Sequence, residues 1–500
     1  MKKFLINLFL VLSAFLAFTG CIKMGPDYNR PEADFKIPEI YQSTSTDELK
    51  PLLDDSWWKV FGNPELDQVV ADVLKHNLDI RRATARILEV QSQFIQTRAN
   101  RFPTLDVSVT GQRQRLTINE TSVGPRGIVQ QEIKTNIDTH SLSFPASFEV
   151  DLWGRLARAE EAARADLLQS RENRLTVAQT VVAEAISLYL QIEALERQIE
   201  ISSKSIETFQ QSVDFVNRRF QRGLAAVLDL RQARRILAQS ETLLPALYQD
   251  LGVTQQRLSV LLGRYPNTRP ARIQQEEYFK RMAPVPPGLP SDLLLRRPDI
   301  RAAEARLQAL NAQIGVAKAN RFPRITLTGS LGYSNGELSD LFQPESQLLS
   351  LAFGVVQPLF DAGKRKAAQK GAEARYQQGV AEYAKTILTA FSEVEGALLT
   401  RKEQMERREK VLIFLKEARA TQQAAERRYV RGLADYLSVL DAQQTRFQAE
   451  QNLVQVDLAI LANRVALHRA LGGGWGEPPA DEKILSEEPK PRKIVNSNKN

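Results

Sequence analysis

Cys21 is the only cysteine in the chain, and its position points to one specific kind of chemistry. It follows two N-terminal lysines, an apolar run over residues 4–18, and Gly20, an order typical of an export signal. The run of 15 residues is shorter than the roughly 20 that a membrane-spanning helix needs. Small residues before a lone cysteine favour lipoprotein processing, which would leave Cys21 as a diacylated N-terminus, although Phe18 stands where the usual motif has Leu. The alternative is a chance cysteine in an ordinary signal peptide.

Other residue types that could support catalysis or hold a metal are scattered. His76, His140 and His468 are far apart and there is no second cysteine, so the spacing predicts neither a metal site nor an intrachain disulfide. AGKRK at 362–366 superficially resembles a phosphate-binding loop but lacks both the upstream glycine and the following Ser or Thr. No Ser-His-Asp arrangement can be argued from spacing. We therefore expect no enzyme activity, no cofactor and no metal ion.

The composition indicates a folded protein that does not bind nucleic acid. Hydrophobic residues make up 43% of the chain and charged residues 25%, which is ordinary for a globular protein and indicates neither disorder nor a helical membrane protein. The net charge of +8 is basic, but the 67 Lys and Arg residues are interleaved with 59 acids along helix-like segments. A basic patch of the kind that binds nucleic acid is therefore not indicated.

The sequence is an internal duplication. The pentapeptide ANRFP occurs at 99–103 and again at 319–323, and 12 of the 25 residues ending at each copy are identical. Farther on, RRFQRGLA at 218–225 aligns with RRYVRGLA at 427–434, with an offset of 209 in place of 220. The halves thus differ by 11 residues between Pro103 and the following long helix. Because insertions are tolerated best in loops, we place this one in a loop between two strands.

Long helices dominate both halves. Residues 155–222 contain no Gly or Pro over 68 positions, and a continuous helix of that length would extend roughly 100 Å. Its apolar residues recur at spacings of three and four, as packed long helices require. The counterpart after Gly363 contains only three glycines, and 433–471 is another uninterrupted stretch. The Asn-Pro-Glu sequence at 63–65 predicts the start of the earliest helix.

Alternation of apolar and polar residues predicts two strands in each half. It is clear at 141–152, 105–110 and 325–328, and weaker at 349–359. Alone, this pattern also fits a soluble sandwich. In an exported, otherwise helical chain it favours strands of membrane-spanning length, which lipid tolerates only in a closed sheet. Four strands cannot close and eight would fill their own interior, so three copies with about 12 strands are the smallest assembly with a lumen.

Several motifs together resemble the TolC-like outer-membrane efflux factors, specifically the OprM-like lipoproteins of RND pumps, over roughly residues 21–475. Besides both ANRFP copies, the motifs are CIKMGPDYNRP at 21–31, DDSWWKVFGNPELDQVV at 54–70, GLPSDLLLRRPDIRAAEARL at 288–307, RGLADYLSVLDAQ at 431–443 and ALGGGW at 470–475.

The resemblance implies a mainly α-helical mixed α/β membrane protein with a duplicated helix-strand-strand-long helix-helix repeat. Three chains would share a 12-stranded outer-membrane β-barrel, with four strands per chain, continued by a periplasmic α-helical barrel. The chain then divides into a signal peptide at 1–20, an extended N-terminal and equatorial segment at 21–62, a first repeat at 63–263, a proline-rich equatorial linker at 264–298, a second repeat at 299–475 and a disordered tail at 476–500.

The resemblance also implies partners: a homotrimer, a periplasmic adaptor protein, an inner-membrane RND-type transporter and outer-membrane lipid. Two RGLA segments match the periplasmic tips that meet the adaptor: Arg222, Gly223, Leu224 and Ala225, and Arg431, Gly432, Leu433 and Ala434. The glycine of each segment is also expected to be a turn residue with positive φ.

Leu437 and Asp441 match the family's constriction positions, one helical turn apart. In a trimer they would form an apolar ring and an acidic ring that attracts cations. Gln444 stands where the OprM pattern has Arg, so an ion pair that locks this gate is not implied.

We expect the chain to conduct drugs, detergents, dyes or metal ions passively across the outer membrane for a tripartite efflux pump. The alternatives are a conduit for type I protein secretion and a periplasmic coiled-coil scaffold lipoprotein without a pore.

Overall fold

The structure is a computed structural model that describes residues 23–31, 38, 40–41, 56–124, 127–272, 285, 290 and 293–473. The expected signal peptide, Cys21, the tail at 476–500 and much of the linker at 264–298 lie outside the described residues.

The chain forms two compact units, and each draws residues from both sequence repeats. The first unit comprises residues up to 31, 89–169 and 304–382, and the second comprises 32–88, 170–303 and 383 onward. The repeat boundaries proposed from the sequence describe the duplication and stay a prediction.

The described α-helices follow the duplicated order that the sequence predicts. They are α1 (Pro64–His76), α2 (Leu78–Ala99), α3 (Arg155–Gln221), α4 (Val227–Glu241), α5 (Leu243–Leu261), α6 (Leu293–Arg296), α7 (Pro298–Ala319), α8 (Lys364–Val430) and α9 (Tyr436–Ala470).

The two long helices are equal in length. Helices α3 and α8 each run for 67 residues, which confirms the expectation drawn from the missing glycines and prolines. Helix α8 includes Gly379, where a Cβ would come within 2.7 Å of Leu310 Cδ1 on α7. This glycine lets α8 approach α7 closely, and the packing offsets its low helix propensity. Among the described residues, α3 is also the one helix with a stretch long and apolar enough to cross a membrane, and 56% of that stretch is buried in the protein.

Asparagine side chains define the ends of the first helices. The Asn63 side-chain oxygen accepts hydrogen bonds from the backbone N–H groups of Glu65 and Leu66, and Pro64 occupies the first helical position. The expected start of α1 is confirmed. Asn77 repeats this arrangement between α1 and α2, where its side-chain oxygen accepts from the N–H groups of Asp79 and Ile80. The chain from Pro64 to Ala99 therefore forms two helices, α1 and α2, and not one.

The helix after the first tip is interrupted, although the sequence pattern predicted one continuous helix. It divides at Thr242 into α4 and α5. Pro245 lies in the first turn of α5, and proline cannot donate the hydrogen bond that would continue α4. In the second repeat, α9 has no proline and runs unbroken for 35 residues.

A single antiparallel sheet lies in the first unit. Its strands are β1 (Thr104–Leu105), β2 (Ser108–Gly124), β3 (Gly127–Val150), β4 (Arg324–Asn335) and β5 (Gln347–Val356). The order is β2-β3-β4-β5, with β1 paired to β3 in line with β2. Pro145 of β3 accepts a hydrogen bond from Asp106 N–H but has no N–H to return. This loss of one ladder bond coincides with the gap between β1 and β2.

The expected loop insertion in the first repeat is wrong. Strands β2 and β3 pair without interruption from Ser108↔Ser143 to Gly124↔Gly127, whereas β4 stops pairing with β3 at His140↔Asn335. The extra residues therefore extend β2 and β3 into a two-stranded ribbon. The corresponding stretch of the second repeat, between β4 and β5, contains two short 3-10 turns at Leu338–Asp340 and Pro344–Ser346.

The second unit contains the main apolar core. Tryptophans from the 3-10 turn Trp57–Phe61 pack with residues of α1, α3, α5 and α9 in one cluster. A second cluster lies at the tips, where α3 and α4 pack against the end of α8 and the start of α9. Burial of these apolar stripes holds the long helices together, because isolated helices gain little stability from propensity alone.

Candidate functional site

One face of the sheet is apolar over most of its length. The register aligns residues from neighbouring strands on this apolar face in rows. In the middle rows, Leu351 is 78% exposed and Phe353 59% exposed. An apolar surface of this size is not typical of a water-facing monomer and marks an interaction surface. The rows are Val109-Leu142-Tyr333, Phe144-Leu331-Leu349, Ala146-Gly329-Leu351, Phe148-Leu327-Phe353 and Val150-Ile325-Val355.

The opposite face is polar and built mainly from small side chains. Its residues alternate with the apolar ones, so the period-two pattern of the sequence is confirmed. Glu149 lies at the helical end of this face and forms an ion pair with Arg155 at 2.8 Å. The other members are Ser141, Ser143, Ser147, Thr326, Thr328, Ser330, Ser334 and Ser350.

Both sides of the sheet end in open edges. In the part of the chain that the structure describes, β2 pairs only with β3, and β5 pairs only with β4. The backbone groups on the outer edges of β2 and β5 therefore have no strand partner within one chain. Such an edge is a template for pairing with another chain.

Residues 23–31, here called the N-terminal strap, bind along the first unit. Arg158 of α3 is almost fully buried beneath the strap, where it donates hydrogen bonds to Asp27 at 2.7 Å and to the carbonyl of Met24 at 3.1 Å. Asn311 of α7 donates to the carbonyl of Pro26 at 2.9 Å. The N–H of Met24 donates to the carbonyl of Trp153, just after β3. The strap is thus fixed to the helical end of the sheet.

Two glycines make this close approach of the strap possible. Gly25 has φ +92°, and a Cβ there would lie 2.5 Å from Cα of Gly315. A Cβ on Gly315 would in turn lie 2.7 Å from the carbonyl oxygen of Met24. No larger residue fits either position without moving the strap.

The two RGLA segments form the same turn. After α3, the N–H of Gly223 donates to the carbonyl of Phe220, and the N–H of Leu224 donates to that of Arg219. After α8, Gly432 and Leu433 repeat both bonds. The glycines have φ +74° and +72°, which completes a Schellman ending and confirms the expected turn role.

Each turn presents apolar side chains to solvent. Leu224 is 61% exposed and Leu433, its repeat equivalent, is 63% exposed. The four residues of each segment lie at a helical tip, with Arg222 and Arg431 also exposed. The structure brings the two segments together at neighbouring hairpin ends of the second unit through the tip cluster.

The core of the tips contains a charged group among aromatic rings. The Arg219 guanidinium lies 5.1 Å from the centroid of the Tyr429 ring, and this ring is 5.2 Å from that of Tyr436. Burial raises the pKa of the Tyr436 phenol to about 12. Among the described residues, no hydrogen-bond partner lies in good geometry for the buried phenol oxygens of the two tyrosines or for Arg219 Nε. This cluster was not predicted, because Arg219 is one of three arginines in RRFQR at 218–222 and no local signal marks which of them packs on the aromatic rings.

Leu437 and Asp441 lie one turn apart on α9, and both are exposed in the single chain. Asp435 caps this helix by accepting a hydrogen bond from Ser438 N–H at 3.0 Å. The hydrogen bonds from Ser438 lower the pKa of Asp435. Gln444 is half-buried, and its neighbour Gln443 is buried beside Ser212 and Glu426.

The histidines are separate from one another, as the sequence suggested. His468 is buried and stacks on Trp57 with ring centroids 4.7 Å apart. Burial lowers the pKa of His468 to about 3, so the ring is neutral at physiological pH. His76 lies near the surface, and His140 lies in the sheet. Groups of three or more side chains able to hold a metal ion do not occur among the described residues.

The phosphate-loop-like AGKRK segment is a turn before a helix. Gly363 has φ +83° and comes directly before α8, as Gly154 with φ +69° comes directly before α3. Both glycines occupy the same place in the repeat.

Comparison with known proteins places these features in a family. Residues 69–264 and 289–473 match the family described as outer membrane efflux protein. The chain is 34% identical over 450 residues to the pyoverdine export outer membrane protein OpmQ of Pseudomonas putida, covering 89% of this chain and 93% of OpmQ.

Two further similarities agree with this match. The probable outer membrane lipoprotein SilC of Salmonella typhimurium is 32% identical over 476 residues, covering 94% of this chain and 99% of SilC. The solved structure of the outer-membrane channel OprN superposes with a TM-score of 0.83 at 28% identity, covering 91% of this chain and 99% of OprN.

We predict that replacing glycine by alanine changes the free energy of unfolding in opposite directions at a tip turn and inside helix α8. Gly432→Ala should lower the free energy of unfolding by about 1–2 kcal/mol, because alanine is strained at positive φ. Gly396→Ala, inside α8 with open space around its Cα, should raise it by up to about 1 kcal/mol, because alanine favours the helix. Chemical denaturation followed by circular dichroism measures both. Equal shifts of the same sign would contradict the assigned tip geometry.

Proposed function

Because the chain belongs to the outer membrane efflux protein family, we propose that three copies close one β-barrel and form the exit channel of a tripartite efflux pump. The chain is an outer-membrane efflux protein with the fold of the TolC-like channels. We also propose that it acts as a passive conduit without catalysis, so the energy for export comes from its inner-membrane partner.

The observation that carries the proposal is the two-faced sheet with open edges. In lipid, every backbone polar group must be satisfied by the protein, so a spanning sheet must close on itself. The apolar face suits lipid tails, and the serine- and threonine-rich face suits a water-filled lumen. Strand β2 of one chain and β5 of the next are the edges available to pair.

Three chains satisfy these conditions with the fewest copies. Each chain contributes four strands of spanning length, since the two-residue β1 continues the line of β2. Two chains would give about eight strands, whose interior is filled by side chains, whereas three would give about 12 and leave a lumen. A pore-less periplasmic scaffold would leave the apolar face without a partner.

We propose that Cys21 carries the lipid anchor. The strap that follows it is fixed by Arg158 and Asn311 at the helical end of the sheet. Lys23, two residues after Cys21, packs directly against Gly154 at the start of α3. Acyl chains on Cys21 would therefore enter the leaflet nearest the helices, which is the periplasmic leaflet.

The helical tips are the proposed contact with a periplasmic adaptor. Leu224 and Leu433 are exposed at equivalent positions of the two repeats, and exposed leucines beside arginines form a surface suited to a protein partner. Arg222, Gly223, Ala225, Arg431, Gly432 and Ala434 complete these two surfaces. The adaptor in turn would link the channel to an RND-type transporter.

Leu437 and Asp441 are the proposed periplasmic gate. Both side chains are exposed on one face of α9, so threefold repetition could bring them together in an apolar ring and an acidic ring. A small untwisting of the tip helices would open the rings, driven by an adaptor that binds the open state more tightly. With Gln444 in place of an arginine, we propose that packing rather than an ion pair closes the gate.

The names of the relatives indicate a broad class of cargo. OpmQ is named for pyoverdine export, and a cation efflux protein, CusC of Escherichia coli, is 31% identical over 464 residues, covering 92% of this chain. We propose small molecules or metal ions as cargo. Protein secretion by the same architecture is the alternative.

The trimer can be tested directly. Full-length protein purified in detergent should have the mass of three chains by multi-angle light scattering, and it should conduct ions in a planar bilayer. A monomer without conductance would refute the channel, whereas a conducting assembly of another size would refute only the threefold closure.

The proposed gate at Leu437 and Asp441 can be tested through the current that the channel conducts at rest. Asp441→Ala removes the proposed acidic ring and should raise resting conductance and lower the preference for cations. The matched control is Glu409→Ala, which removes one exposed carboxylate from α8 far along the chain from the tip. Equal single-channel currents for Asp441→Ala and the wild type would argue against the gate.

Lipidation predicts incorporation of fatty acid at one residue. Cys21→Ser should abolish incorporation of radiolabelled palmitate, because serine cannot accept the thioether-linked lipid. The control is Gly223→Ala, which leaves the N-terminus intact and should be labelled like the wild type. Undiminished labelling of Cys21→Ser would contradict the assignment.

A further inference from the structure

The ribbon formed by β2 and β3 carries a group of polar side chains that the channel function does not use. This group, here called the ribbon ladder, consists of Arg113, Arg115, Lys134, Asn136 and Asp138. Its cross-strand partners are Arg113↔Asp138, Arg115↔Asn136 and Thr117↔Lys134. The ladder therefore occupies three successive rows on one face of the ribbon.

The ladder lies on the same side of the sheet as the apolar face. Side chains on a strand alternate between faces, so Arg113 and Arg115 share the face of Val109. On β3, Lys134, Asn136 and Asp138 share the face of Leu142 by the same rule. The residues that point away from the proposed lumen thus change from apolar to charged along the two strands.

The position of this change corresponds to the boundary of a membrane. On β3 the apolar face runs from Val150 to Leu142, roughly 27 Å at 3.3–3.4 Å per residue, close to the apolar band of about 25 Å in outer-membrane barrels. Arg113 follows Val109 by four residues, or roughly 13 Å farther along β2. Helices α2, α3, α7 and α8 all join the opposite end of the sheet. The ladder therefore faces the headgroups of the leaflet remote from the helices.

The ladder has more positive than negative charge. Arg113 donates two hydrogen bonds to Asp138, at 2.7 and 2.6 Å, yet remains 76% exposed on its side chain. Arg115 is exposed and donates from Nε to the neutral amide oxygen of Asn136 at 3.1 Å. No acidic group pairs with Arg115 among the described residues.

The second hairpin has no equivalent. On the same face, Asn335 and Gln347 lie at the ends of β4 and β5, and the nearest charges in the turn between them are acidic, at Glu337, Asp340 and Glu345. The basic surface thus occurs once in each chain, on the hairpin that the 11-residue difference lengthens.

We propose that the ribbon ladder binds phosphate-bearing lipid headgroups in the outer leaflet of the membrane. Arginine suits this role, because its planar guanidinium binds two phosphate oxygens at once. The occupant is a lipid, since the ladder lies on the same face as the lipid-facing rows, one row beyond Gly111 and His140. The inference rests on the proposed membrane position of the sheet and adds a site that conduction does not need.

The test measures lipid binding by the full-length channel in nanodiscs. Phosphatidylcholine discs would contain a minor fraction of lipid A with two phosphates, or of lipid A with both phosphates removed, and mass spectrometry would count retained lipid A per chain. Arg113→Gln with Arg115→Gln should lower the affinity for phosphorylated lipid A by roughly 25-fold, because each basic residue at an anionic surface contributes about fivefold. Arg115→Gln alone, which leaves the Arg113–Asp138 pair intact, should account for about half of this loss on a logarithmic scale.

The matched control removes two exposed positive charges at the other end of the same unit, by Lys366→Gln with Lys370→Gln. This control should bind lipid A like the wild type. Both double variants should keep wild-type assembly and conductance, which separates a failure of this inference from a failure of the channel. The proposal is overturned if the ladder variants keep wild-type affinity, if dephosphorylated lipid A binds equally well, or if the control loses as much. Displacement of the lipid by millimolar inorganic phosphate would indicate a site for free anions and would also overturn it.

Discussion

Unpaired backbone groups along a sheet edge are the constraint on which the rest of this structure depends. One chain supplies a sheet with an apolar face, a polar face and two free edges. Water would satisfy the edges but not the apolar face, and lipid would satisfy the apolar face but not the edges. Only a closed sheet made from several chains satisfies both. Assembly, membrane insertion and a polar lumen then follow together from a pattern of alternating residues.

The helical part of the chain meets a different requirement. Each long helix must end in a turn and continue into the next helix while the apolar side chains at the tip stay packed. Each of the two tips ends its long helix with a glycine at positive φ, and the next helix begins within a few residues. Arg219 near the end of α3 lies over the Tyr429 ring at the end of α8, so the tip cluster joins the two hairpins. Buried polar atoms without hydrogen bonds are costly. The apolar side chains of the tip cluster, drawn from α3, α4, α8 and α9, must offset this cost.

Local signals in the sequence were sufficient for the elements and for much of the candidate site. Asn63 and Pro64 start α1 as expected, and the long stretches without glycine or proline are the long helices, because these features act through neighbouring residues alone. Nonlocal features were missed. The strap binds where Gly25 packs against Gly315, some 290 residues away. No pattern in either segment predicts this contact. The ribbon was mistaken for a loop because its polar residues do not alternate cleanly with apolar ones. Pro245, by contrast, was a local signal that could have predicted the break between α4 and α5.

Departures from the duplication explain how two similar hairpins can have different roles. The turns are alike, but their caps are reversed: Asp435 accepts from Ser438 N–H after the second turn, whereas Asp229 accepts from Ala226 N–H after the first. Asp441 aligns with Gln232, so an acidic ring would contain one carboxylate from each chain rather than two. Pro245 breaks the first hairpin where α9 of the second is continuous. A ring of six hairpins built from three chains would therefore alternate between two kinds of hairpin. Only the second kind has an exposed acid at the Asp441 position, so the two kinds of hairpin would contribute differently to the proposed ring.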